Sequence, residues 1–112
     1  MIDSGEVDWK LICIAEGDPL FDLLNNIEDV EKKCEGTING IREWFRWYKT
    51  PDMKDKNVFG FDEKCLGPEK AWKVIDHVHN DWKDLMAGRA GKDGGYWTGV
   101  DNAPVLIGKK KD

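Results

Sequence analysis

"DWKLICIA", residues 8–15, is the run on which the fold turns. Strand alternation puts Asp8, Lys10, Ile12 and Ile14 on one face and Trp9, Leu11, Cys13 and Ala15 on the other. Both faces are apolar beyond Lys10, which predicts a strand covered on both sides, as in a barrel wall with helices outside it. Just ahead, "MIDSGEV", residues 1–7, carries Asp3 and Gly5. Gly5 permits a tight reversal that lets the carboxylates of Asp3 and Asp8 converge beside the Lys10 ammonium. The bare pattern has two readings. Two carboxylates with an ammonium suit a hard divalent cation such as Mg²⁺ and a phosphate that shares it. Equally, this is an acid-rich turn in water, with an Asp8–Lys10 surface pair worth about 0–1 kcal/mol.

Outward from this run, "EGDP", residues 16–19, is turn chemistry. "IEDVEKK", residues 27–33, has acids first and lysines last, matching the dipole of a short helix. "TINGIREWFRWYK", residues 37–49, predicts a helix whose stripe is Ile38, Ile41, Phe45 and Tyr48, widened by Trp44 and Trp47. Gly40 within it costs about 1 kcal/mol relative to Ala, and Pro51 stops the helix. "NVFGFDE", residues 57–63, alternates as a second strand that Gly60 weakens. The clearest element is the helix of residues 67–88, with Pro68 and Glu69 at its start and Gly88 at its stop. Its apolar face is Ala71, Val74, Ile75, Val78, Trp82 and Leu85. Residues 88–112 hold six of the twelve glycines and read as a surface tail, with "APVLIG" as a short docking strand and Lys109–Lys111 solvated. Two strands and two strong helices do not close a barrel, so the chain reads as a portion of something larger.

Composition bounds the function. The 112 residues form one domain or part of one, able to bury roughly 65% of the unfolded surface. A net charge of −5 argues against binding to nucleic acid or to an anionic membrane, which needs clustered Lys and Arg. A small phosphate ligand needs only a few cations in one cleft. No run is long and apolar enough to span a bilayer, and no basic segment precedes an apolar signal-like run. Cys13, Cys34 and Cys65 are odd in number and form no C-x-x-C pair, which fits a reducing cytosol better than a disulfide framework or a zinc site. Tyr48 and Lys49 end the aromatic helix, where phenol and ammonium could both donate to an anion. Alternatively, Tyr48 completes the stripe and Lys49 offsets the helix dipole. His77 and His79 stand about 200° apart on a helix and cannot chelate one metal together, so their reading is structural.

Taken together, "IDSGEVDWKLICIA", "DPL", "IEDVEK", "EWFRWYKTPD", "NVFGFDEKC" and "VIDHVHNDWKDLM" resemble, in that order, the C-terminal part of the soluble family I inorganic pyrophosphatases in their eukaryotic form. The resemblance covers residues 1–87 and stops before the Gly-rich tail of residues 88–112. It implies an α+β fold: part of an OB-like β-barrel with two packed amphipathic helices. It implies Mg²⁺-dependent hydrolysis of pyrophosphate to two phosphates. Carried over by position, Asp3 and Asp8 resemble metal-binding carboxylates, while Lys10, Tyr48 and Lys49 resemble phosphate-binding groups. A cytoplasmic homodimer with no nucleic-acid or membrane partner is the implied setting. Two departures stand out. Ser4 lies where the family often has Glu, and the family's Asp-x-Asp-x-x-Asp cluster would precede Met1 and is absent from these residues. The expectation is therefore a parent inorganic diphosphatase, with this chain an incomplete, weakly active or inactive fragment. A different class of reading is a non-catalytic truncated homologue acting as a protein-binding module through open strand edges. A third, an OB-type binder of single-stranded nucleic acid, conflicts with the acidic balance.

Overall fold

Met1 to Val7 folds back on itself as a two-residue-turn hairpin. Strands β1 (Ile2–Asp3) and β2 (Glu6–Val7) pair antiparallel, Ile2 opposite Val7 and Asp3 opposite Glu6. The turn residues Ser4 and Gly5 both have positive φ, 51° and 82°, the left-handed pair that matches strand twist in such hairpins. The Asp8 amide donates to the Met1 carbonyl at 2.9 Å and extends the register. Met1, Asp3, Glu6 and Asp8 therefore share one face of the hairpin. The computed structural model describes residues 1–90; the expected tail strand at 103–108 and Lys109–Lys111 lie outside the described residues.

Past Asp8 the expected strand does not form. Residues 8–15 have no regular secondary structure, and residues 9–14 make no backbone hydrogen bond to a described residue. The apolar, β-branched composition favours a strand, but a strand exists only against a partner ladder, and none is found among the described residues. Trp9, Leu11 and Ile12 are accordingly exposed rather than covered on both sides. Residues 57–63 depart in a related way. Val58 alone bridges to Ile2, and Phe61–Glu63 close into a 3-10 turn with φ of 54°, 52° and 63°.

The helices follow their local signals. Helix α1 (Ile27–Lys33) is capped by Asn26, whose side chain accepts from the Asp29 amide at 2.9 Å. Asp29 in turn accepts from the Asn25 amide at 2.9 Å, which ties the residue before the cap to the first turn. Helix α2 (Thr37–Trp47) packs on α1 and ends two residues earlier than its periodicity predicts. A 3-10 turn at Thr50–Asp52, carrying Pro51, follows it. Helix α3 (Pro68–Met86) starts at its proline and closes at Gly88, φ 71°, whose amide reaches the Leu85 carbonyl at 3.0 Å. The chain divides into two compact units, Met1–Trp72 and a second from Lys73 onward, and α3 runs from the first into the second.

The C-terminus of α2 shows why the first unit holds its shape. The last four carbonyls of a helix lack intrahelical partners. Here each finds one: Trp44 from the Tyr48 amide at 2.9 Å, Phe45 from Asn57 Nδ2 at 2.9 Å, Arg46 from the Asn57 amide at 3.0 Å, and Trp47 from Thr50 Oγ1 at 2.8 Å. Asn57 is 1% exposed, and its neighbour Val58 exchanges two hydrogen bonds with Ile2. Asn57 and Val58 thus clip the end of α2 to strand β1. The aromatic stripe of α2 is not the core its spacing suggests. Ile38 is buried and Phe45 half-buried, while Trp44 is 61% and Tyr48 43% exposed.

Candidate functional site

The clip brings the end of α2 against the hairpin, and Lys49 meets Asp3 there across 46 positions of sequence. Lys49 Nζ lies 2.5 Å from Asp3 Oδ1 and donates to Ser4 Oγ at 3.3 Å. The Tyr48 hydroxyl donates to the other oxygen, Asp3 Oδ2, at 3.3 Å. Ser4 Oγ donates to Asp3 Oδ1 at 3.1 Å. Lys49 is only 6% exposed, so its charge is balanced chiefly by this carboxylate rather than by water. The Lys49 hydrogen bond holds the Asp3 carboxyl below the ordinary carboxylate range; burial opposes it, and Ser4, the Lys49 charge and Tyr48 reinforce it.

Asp8 and Lys10 stand at the same lip. Their ion pair is 2.8 Å long and open to water on both sides. Lys10 Nζ lies 5.2 Å from the Phe45 ring centroid. The Phe45 ring meets Tyr48 edge-on at 6.0 Å, and Trp44 stacks on Tyr48 at 5.1 Å with the planes 12° apart. All five residues that the sequence singled out therefore sit on or beside one aromatic platform. Asp3, Tyr48 and Lys49 touch directly, and Asp8–Lys10 connects through Phe45. Asp3 and Asp8 offer the hard oxygen donors Mg²⁺ takes, which usually needs one or two carboxylates with water and phosphate completing its shell. Among the described residues, no group of three or more His, Cys, Asp or Glu side chains is placed to hold a metal.

Three residues near the site escape sequence reasoning. Arg46, two residues before Tyr48, binds Glu63 at 2.5 Å and Glu43 at 3.2 Å, and stacks over Phe59 at 5.3 Å. Glu63 is correspondingly held below its usual range, first by the Arg46 hydrogen bond. Asn57 is the third; the only signal for it is that a helix stopped by Pro51 leaves carbonyls that some nearby donor must satisfy. His77 and His79 go separate ways, His77 Nε2 to Asp81 Oδ2 at 3.5 Å and His79 stacked on Trp82 at 5.3 Å.

An ammonium and a phenol close on one carboxylate, and a second lysine–carboxylate pair connects to them through the Phe45 ring. The inorganic pyrophosphatase family matches residues 1–83. The soluble inorganic pyrophosphatase 1, chloroplastic, of Chlamydomonas reinhardtii is 48% identical over 88 residues, covering 79% of this chain and 31% of the relative. The type I inorganic pyrophosphatase of Toxoplasma gondii superposes with a TM-score of 0.72 at 50% identity, over 75% of this chain and 36% of that one. The N-terminal domain truncated vacuolar soluble pyrophosphatase of Trypanosoma cruzi, in complex with PPi, gives 0.73 at 41% identity, over 77% of this chain and 33% of that one. The chain belongs to the soluble family I inorganic pyrophosphatases. It spans about a third of the length of the relatives it matches.

Proposed function

We infer that this chain supplies one wall of the active site of a Mg²⁺-dependent inorganic pyrophosphatase, an enzyme that hydrolyses pyrophosphate to two phosphates. The observation that carries the reading is the convergence of Asp3, Tyr48 and Lys49 from opposite parts of the sequence. In this reading Asp3 and Asp8 are Mg²⁺ ligands, and Lys10, Tyr48 and Lys49 bind phosphate oxygens. Bound Mg²⁺ supplies Lewis acidity that offsets the negative charge of the diphosphate. The lysines and the tyrosine hydroxyl orient the anion and stabilise charge that grows on its oxygens as one phosphate leaves. The hairpin and the Ile2–Val58 bridge are the chain's share of an OB-like barrel. Residues 1–87 form the catalytic-domain portion and residues 88–112 a Gly-rich tail. The setting is a cytoplasmic homodimer that engages neither nucleic acid nor membrane, in keeping with the acidic charge; no helix among the described residues is long and apolar enough to cross a membrane.

The decisive experiment grafts residues 1–87 in place of the matching segment of a complete family member and measures Mg²⁺-dependent phosphate release. The graft is expected to hydrolyse pyrophosphate, and Lys49→Met within it to lower kcat/KM by about 10²-fold, the scale for one lost electrostatic contact to a transition state. A folded but inert graft would overturn the reading. The 112-residue polypeptide by itself is expected to be inactive or weakly active, since it holds no Asp-x-Asp-x-x-Asp cluster. A second reading, a non-catalytic truncated homologue that binds another protein, draws on the exposure of Leu11, Ile12, Trp44 and Trp47. Capture of a partner by a graft that folds without turning over would favour it.

A further inference from the structure

A buried ammonium needs an anion, and in this chain the anion is internal. The contacts of Lys49 Nζ are Asp3 Oδ1 at 2.5 Å and Ser4 Oγ at 3.3 Å. The Tyr48 hydroxyl takes the remaining carboxylate oxygen at 3.3 Å. One oxygen per donor, both borne by a single atom, is also how a phosphate would meet these two groups. The hairpin fixes Asp3 for this task. Its turn is closed by two left-handed residues, and Ser4 Oγ bonds back to the same carboxylate at 3.1 Å. The neighbouring Asp8–Lys10 pair differs, because both partners are open to solvent and water screens their attraction.

We propose that Asp3 is a built-in competitor at the Tyr48–Lys49 anion site, so that a free anion such as inorganic phosphate enters only by displacing its carboxylate. A divalent cation that captures Asp3 then releases the two donors, and the chain selects against anions that arrive without a metal. This rests on the reading of Tyr48 and Lys49 as phosphate donors. A competing internal state lowers apparent affinity by the fraction of time the site is free, and removing it restores that factor.

The test is titration of the 112-residue chain with inorganic phosphate at low ionic strength in the presence of a chelator, followed by calorimetry. Asp3→Asn is expected to bind phosphate about tenfold more tightly than the wild type, within the usual range of coupling between sites. Glu6→Gln is the control: it removes a negative charge opposite Asp3 in the hairpin without touching Tyr48 or Lys49, and should change affinity by no more than about twofold. Phosphate binding that is abolished by Lys49→Met but not tightened by Asp3→Asn would overturn the proposal and leave the phosphate-site reading standing. An equal gain from Glu6→Gln would also overturn it. No phosphate binding by any form, with or without Mg²⁺, would sink both. Should Asp3→Asn fail to fold, the wild type decides. Mg²⁺ alone should abolish the slow-exchanging ammonium NMR signal of Lys49, and a signal that Mg²⁺ leaves unchanged would overturn the proposal.

Discussion

Lys49 and Asn57 are the two buried polar side chains of the described structure, and each ties together segments distant in sequence. Lys49 is tolerated because Asp3 supplies a counter-charge. Asn57 is tolerated because its amide satisfies a carbonyl that α2 leaves open. Asn57 is satisfied on one side only, since its Oδ1 is buried without a partner among the described residues. Asn57→Ala removes that cost together with the bond to Phe45, so the expected loss is modest, about 1–2 kcal/mol of unfolding free energy. Urea unfolding of the 112-residue chain measures it; an unchanged midpoint would mean the Asn57 side chain adds nothing to the backbone bonds that hold α2 to β1. Cysteine reactivity is a second test at this scale. Burial pushes the Cys65 thiol up, whereas Cys13 is exposed in the unpaired run after Asp8. Iodoacetamide at neutral pH should label Cys13 well before Cys65, and mass spectrometry of the peptides reads the order.

Helix α2 is tied to the left-handed turn at 61–63 by the Arg46–Glu63 ion pair, and that link has a pH signature. The folded carboxyl of Glu63 lies below its ordinary value of 4.5. Its contribution to stability is therefore complete above pH 4.5 and disappears as the pH falls through the lower folded value. The difference in thermal midpoint between the wild type and Glu63→Gln should be constant at neutral pH and shrink in acid; a difference that grows in acid would contradict the assignment. Elements also separate what is local from what is not. The charge order of α1, the proline that opens α3 and the glycine that closes it are legible in sequence because each acts within one helical turn. The strand expected at residues 8–15 was not decidable that way. Its alternation and composition fit a strand, yet Trp9 to Ile14 find no ladder among the described residues.

At the scale of the whole chain, Ile38 and Val74 are the buried hydrophobic side chains among the described residues, while Trp9, Leu11, Ile12, Trp44, Trp47, Trp72 and Trp82 are exposed. Apolar runs with unpaired backbone are templates for association. The 112-residue polypeptide is accordingly expected to self-associate with rising concentration in sedimentation, and Ile12→Lys to weaken that association. A monomer at all concentrations would count against open edges as its dominant property. The ordered blocks from Ile2 to Met86 were enough to bring the family into view, and the matches at 41–50% identity agree. By itself the sequence determined the helices, the ends of α3, the reversal at Gly5 and the candidate residues, because those depend on neighbours a few positions away. Only the tertiary structure decided that Lys49 and Tyr48 close on Asp3, that Asn57 clips the helix end to the hairpin, and that residues 9–14 find no ladder among the described residues. Those outcomes depend on which distant groups arrive within hydrogen-bonding reach, and spacing along the chain carries no such information.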